Sequence, residues 1–152
     1  MNKLTETEKA YMAGLLDGEG CVGINKEKSR ASAYPFTFAI RVIITNTDYN
    51  VICWLKEKTG IGCAYECKKG FKENWKFVHR WQIVSNEARE FLQIIYPYAR
   101  IKKEIIDLVL GLERPEKKGK RYGKRTEKEY ENQKETFNKA KEKNKRGKSI
   151  TE

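Results

Sequence analysis

From Phe36 to Asn46 the chain reads FTFAIRVIITN, with side chains that alternate in kind at a period of two. Phe36, Phe38, Ile40, Val42 and Ile44 fall on one face, and Thr37, Ala39, Arg41, Ile43 and Thr45 on the other. This pattern predicts a strand that turns one face to a helical core and the other outward. Val22 and Ile24 begin a preceding strand in GCVGINKEKSR, and IGCAYECKK and KFVHRWQIV form a second hairpin around a polar segment from Gly70 to Asn74. Helical segments separate the pairs. Thr5 and Glu8 have the spacing of a capping box ahead of EKAYMAGLLD, which runs until glycines at 18 and 20 stop it. Thr47 or Asp48 caps a helix bearing Val51, Ile52 and Leu55 that ends at Gly60, and Ser85 or Asn86 caps another that stops at Pro97. In IKKEIIDLVLGLE the stripe Ile101, Ile105, Leu108 and Leu112 predicts a last helix before Pro115. The order is αββαββαα, an α+β domain over residues 1–113.

The remaining 114–152 differ in composition. They hold 15 Lys and Arg against 7 Glu, so most of the net charge of +11 sits there. Tyr130 and Phe137 are among the few residues able to dock this basic tail, which reads either as a solvated helical or disordered segment or as an arm along a nucleic-acid backbone. Such charge implies a polyanionic partner. Nucleic acid fits better than a membrane surface, because the chain has no long apolar run and no basic amphipathic helix. The N-terminus reads as neither a secretion signal nor a transit peptide, which places the expected site of action where the chain is made. Four cysteines without CxxC spacing and a single histidine, His79, argue against structural zinc and for reduced thiols in the cell interior. By parity His79 belongs with Phe77 and Trp81 at the edge of the core.

The stretch MAGLLDGEG, Met12 to Gly20, places small residues and two acids at the end of the first helix. It resembles the signature of the LAGLIDADG homing endonucleases, with Met12, Gly18 and Glu19 as the close substitutions. YARIKKE, further on, is similar to the lysine-bearing turn of that family, and the resemblance covers roughly residues 5–113. It implies the αββαββα homing-endonuclease fold with a saddle-shaped antiparallel sheet, followed here by a basic helical or disordered tail. A single motif copy implies a homodimer, whose two motif helices cross through small residues such as Ala13 and Gly14 and deliver one acid each to paired sites.

By the same resemblance Glu19 is the catalytic acid and a ligand for Mg²⁺, with the Gly18 carbonyl beside it, while Asp17 braces the turn. Asn46 corresponds to the polar residue that orients water, with Thr45 as the alternative if the register shifts by one. Lys102 corresponds to the lysine near the scissile phosphate. The activity implied is a metal-dependent double-strand break in a long, nearly palindromic DNA site. It would act in the DNA-containing compartment where the chain is made, whether cytoplasm, nucleoid or organelle. Alternation nominates Asn25, Thr37, Arg41, Tyr65, Lys69, Arg80 and Gln82 as outward-facing DNA contacts; Arg suits guanine, and Asn or Gln suits adenine. Intron RNA is a further partner that the resemblance allows. The rival reading is a non-catalytic binder on the same fold, an RNA splicing cofactor (maturase) or a transcription regulator; a ribosome-associated basic protein would explain the charge but not the motif.

Overall fold

The computed structural model describes residues 1–29, 33–67, 77–114, 117–118, 121–122 and 124–145. Helix α1 (Glu6–Glu19) runs directly into strand β1 (Gly20–Lys28), followed by β2 (Phe36–Asn46) and α2 (Tyr49–Thr59). The second half repeats the layout with β3 (Cys63–Cys67), β4 (Val78–Val84) and α3 (Ser85–Ile95), then α4 (Lys103–Leu110). A short hairpin, β5 (Lys117–Lys118) and β6 (Arg121–Tyr122), leads to α5 (Glu127–Lys143). The four long strands form one antiparallel sheet in the order β1-β2-β4-β3, with the two hairpins meeting along β2 and β4. No helix among the described residues is long and apolar enough to cross a membrane.

The two faces of the sheet differ as the alternation requires. Val22, Ile40, Val42, Ile44, Trp81 and Ile83 are buried under the helices, together with Met12 and Leu16 of α1, Ile52 and Leu55 of α2, and Phe91 and Leu92 of α3. Burial of this apolar face is the main driving force of the fold, at about 25 cal/mol per Å² removed from water. Trp81 also satisfies its indole N–H, which donates to the Ile61 carbonyl at 3.1 Å. None of the described residues on the opposite face is buried.

Local chemistry sets most boundaries. The Thr5–Glu8 capping box is formed in both directions, and of the two candidates for α2 it is Asp48 that caps, accepting from the Asn50 N–H. Gly60 ends α2 in the left-handed region at φ 69, where a side chain would be strained. At α3 the N-cap position falls on Val84, which makes no side-chain cap hydrogen bond, and Ser85 already lies inside the helix. The stripe expected on the last helix is shifted. Helix α4 starts only at Lys103, buries Ile105, Ile106 and Val109, and leaves Ile101 77% exposed in the preceding turn. Lys69 and the Gly70–Asn74 segment lie outside the described residues.

Helix α5 packs onto the same core. It lies beside α4 and along β1, with Tyr130 stacked on Tyr34 at 4.6 Å between ring centroids and tilted against Phe38. Phe137 packs on Phe38 from two turns further along α5. Polar contacts fix the ends: Arg125 donates to the Phe36 carbonyl, and Asn144 donates to the Val22 carbonyl of the edge strand β1 at 2.8 Å. Covering β1 this way protects a strand edge that would otherwise be free to pair with another chain. Tyr130→Ala should destabilise the protein by about 3 kcal/mol, because it empties a site with 8% exposure and removes two ring contacts. Urea unfolding checks this: the midpoint falls at unchanged slope, whereas an unchanged midpoint would mean that α5 does not share the cooperative core.

Candidate active site

The junction of α1 and β1 is unusually tight. A Cβ on Gly20 would lie 2.5–2.8 Å from atoms of Leu16, so only glycine lets the chain turn from helix to strand without a linker. Glu19 is therefore fixed as the last residue of α1, exposed, at the end of the helix that carries negative partial charge. It faces a cleft that it shares with Thr45, Asn46 and Thr47 from the end of β2 and with Val78 from the start of β4. Among the described residues, no hydrogen bond or ion pair engages its carboxylate. Asn46 Oδ1 accepts from the Asp48 N–H at 2.9 Å, which leaves the side-chain amide nitrogen for the cleft.

Asp17 has a different role. Its carboxylate accepts from the backbone N–H groups of Arg100 (2.7 Å), Ile101 (3.1 Å) and Lys102 (2.9 Å), so it caps the turn that opens α4. The Asp17 carbonyl in turn accepts from Lys102 Nζ at 2.6 Å. Lys102 is thus half-buried and tied to the last turn of α1, outside the cleft that Glu19 and Asn46 line. Burial pushes the Asp17 carboxyl up, but the three N–H donors and the Lys102 charge outweigh it and hold it below the ordinary value. A depressed carboxyl stabilises the fold above its unfolded value of 3.8 and loses that contribution as pH falls through the folded value. Asp17→Ala should therefore cost about 2–3 kcal/mol at neutral pH, from three unpaired donors. The gap between variant and wild type should close below about pH 4; a gap independent of pH would overturn the charged-cap assignment.

On the outward face the register forms two rows. Thr45, Arg80 and Tyr65 are neighbours across β2, β4 and β3, and Cys21, Ile43, Gln82 and Cys63 form the next row across all four strands. Tyr65 Oη donates to Gln82 Oε1 at 3.2 Å, and the Arg80 guanidinium lies 6.0 Å from the Tyr65 ring centroid. These three side chains thus form one cluster near the cleft. Arg41 stands between Gly23 and Val84, Asn25 opposite Ala39, and Thr37 opposite Glu27. Ile43, Cys21, Cys63 and Val84 share this face; their parity marks them, but their residue types carry no hint of a polar surface. His79 lies on the helix side opposite Asn46, with its ring 4.9 Å from that of Tyr49.

The exposed side of α1 shows what the motif's other glycines do. Ala13 is fully buried within this chain's own core. Gly14 and Gly18 are exposed, and a Cβ on either would meet nothing within 4 Å. Each weakens the helix by about 1 kcal/mol relative to alanine and gains nothing inside the chain.

This sheet and helix order are shared with solved structures. The archaeal intron-encoded homing endonuclease I-Vdi141I, complexed with DNA, is 15% identical over 93% of this chain and 87% of that one, with a TM-score of 0.63. The chain has the LAGLIDADG homing-endonuclease fold. I-LtrWI, a LAGLIDADG homing endonuclease bound to target DNA, matches 91% of this chain with 46% of its own, at 17% identity and a TM-score of 0.64. I-CvuI, in complex with the I-CreI target, matches 70% of this chain at 17% identity and a TM-score of 0.59, and the match spans 66% of the I-CvuI chain. No protein-family model and no curated protein matches the sequence. Within the homing-endonuclease fold, the sheet's outward face and the end of α1 are the surfaces left uncovered by this chain's own helices.

The donor set suits a hard cation only in part. One exposed carboxylate and the carbonyls at the end of α1 offer oxygen ligands, and the helix end favours positive charge. No group of three or more His, Cys, Asp or Glu side chains able to hold a metal ion exists among the described residues.

Proposed function

We propose that the chain is a LAGLIDADG-type homing endonuclease that makes a Mg²⁺-dependent double-strand break in a long, nearly palindromic DNA site as a homodimer. The observation that carries this reading is Glu19, an unpaired carboxylate fixed at the end of α1 in a cleft beside the polar sheet face. Two further observations support the dimer. Gly14 and Gly18 leave open space along α1, and the chain matches less than half of I-LtrWI, so two copies would be needed to supply a molecule of that extent.

In this proposal Glu19 and the Gly18 carbonyl would hold a divalent ion, which would supply Lewis-acid polarisation and help activate water. Glu19 binds and orients; Asn46 directs its amide nitrogen at the attacking water, with Thr45 next to it on the outward side. Lys102 places a positive charge near the phosphoryl oxygens and, through the Asp17 carbonyl, holds the end of α1 in place. Asn25, Thr37, Arg41, Tyr65, Arg80 and Gln82 read or position the duplex from the outward face, and Lys69 is proposed with them on sequence grounds alone. Intron RNA remains a proposed second partner.

Enriching DNA from a random duplex pool in Ca²⁺ and then adding Mg²⁺ tests the reading. Double-strand cutting of a long, nearly palindromic sequence is expected. Enriched DNA that stays intact would overturn the nuclease and leave a DNA-binding protein on this fold.

A further inference from the structure

A second cleft, of about 280 Å³, opens on the flank of the sheet, where β2 runs on beyond the last β4 pairing at Arg41 and Val84. Arg89, Arg114 and Arg125 line it together with Gln133. Arg89 uses its two terminal nitrogens to cap α4, donating to the Leu110 and Leu112 carbonyls at 2.5 and 2.6 Å. Arg125 donates one terminal nitrogen to the Phe36 carbonyl. The Nε atoms of both are buried without a partner. Gln133 is 2% exposed and donates to the Glu113 carbonyl, but its Oε1 is likewise buried and unpaired. Among the described residues five buried side-chain polar atoms lack a partner, and three of them belong to residues of this cleft.

Positive charge predominates in the cleft, with three guanidinium groups against the one carboxylate of Glu113. Among the described residues none of the three arginines forms an ion pair. Glu113 also lines the cleft, but both its carboxylate oxygens accept from Asn132 at 3.0 Å. Burial, and then the like charge of Arg114, push the Arg89 pKa down. The first turn of α3, with Val84 at its N-cap, brings Ser85 and Asn86 to the same wall, and helix starts favour anions.

The geometry points to a site for inorganic hydrogen phosphate, held by Arg89, Arg114 and Arg125 through its oxygens and by Gln133 Oε1 through its P–OH group. Orphaned donors and an orphaned acceptor around one cleft call for a ligand that both accepts and donates. Hydrogen phosphate does both. Sulfate and a DNA backbone phosphodiester have no O–H, and a phosphate monoester keeps one only below about pH 6. The site does not depend on the nuclease reading, and neither does its test.

Calorimetric titration of the full chain with inorganic phosphate at pH 7.5, against sulfate and chloride at equal ionic strength, decides the matter. Phosphate alone should bind, and at ten times its Kd it should raise Tm by about 3–5 °C. Arg114→Gln and Arg125→Gln should each weaken phosphate binding by about tenfold or more. Arg114 is exposed and has no described hydrogen bond, so its variant keeps the test valid if Arg125→Gln folds poorly. Equal stabilisation by all three salts would reduce the effect to charge screening and overturn the site. Phosphate binding unchanged in both variants would overturn it too, and sulfate binding as tightly as phosphate would overturn the role of Gln133. A nucleoside 5′-monophosphate that binds at pH 5.5 but not at pH 7.5 would support the P–OH requirement.

Discussion

Glu19→Gln is expected to abolish DNA cleavage in Mg²⁺, by about 10³-fold or more, while binding of the same DNA in Ca²⁺ stays within about twofold. The substitution keeps size and hydrogen-bonding capacity but removes the one unpaired negative charge at the end of α1. A neutral amide is a poor ligand for a hard divalent cation, and losing one preorganised electrostatic group at a reacting centre costs about 10²–10³ in rate. Because each chain of the proposed homodimer would supply one such acid, both strands should lose their cut together. The carboxylate has no described partner, so the fold should not suffer: the melting temperature of the variant should match wild type within about 1 °C, since surface changes stay within about 0.5 kcal/mol. Supercoiled plasmid bearing the enriched site reads nicking and double-strand cutting separately. Wild-type cutting by Glu19→Gln would remove this residue from the site, and nicking without linearisation would show that the two strands do not depend on symmetry-related copies of Glu19.

Gly14→Leu is expected to turn the proposed dimer into a monomer while making that monomer no less stable. Leucine raises helix propensity by about 0.8 kcal/mol, and nothing in the chain lies within 4 Å of a Cβ at this position. A large side chain on that face, one turn before Gly18 and beside the half-exposed Tyr11, holds a second helix several ångströms away, which ends close packing of two copies. Sedimentation velocity should show one species at half the wild-type mass, and double-strand cutting should vanish with it. The opposite pattern, a destabilised variant that still dimerises, would place Gly14 in this chain's own packing and the interface on another surface.

How much of this was legible in the sequence depends on the range of the interactions. Period-two alternation assigned Phe38, Ile40, Val42 and Ile44 to the core and Arg41, Thr45, Arg80 and Gln82 to the other face, because in a strand the face follows from residue number alone. The capping box at Thr5 and the stop at Gly60 are equally local. The start of α4 was misjudged by two residues, since its cap is Asp17, more than eighty positions away. Ile101 matches the helical period, yet it sits in the capped turn and stays exposed. Helix α5 was missed as part of the core because its sequence is mostly charged. Its anchors are Tyr130, Phe137 and Ala140 with a buried Gln133, a stripe too sparse to outweigh the charge pattern.

The candidate site divides in the same way. The nine-residue motif fixed Glu19 at a helix end by itself, through the helix period and the glycines that terminate it. Only the tertiary structure decided which groups meet it: Asn46 and Thr45 enter its cleft because β2 ends beside α1, whereas Lys102 is drawn to the Asp17 carbonyl. The convergence of Arg89, Arg114 and Arg125 also belongs to the tertiary structure, since they come from α3 and from the segments on either side of β5 and β6. Sequence by itself determined the elements and their faces, because periodicity and capping act within a turn or two. Which elements become neighbours, and hence which charges share a cleft, was settled by how the helices close over one face of the sheet to remove its apolar side chains from water.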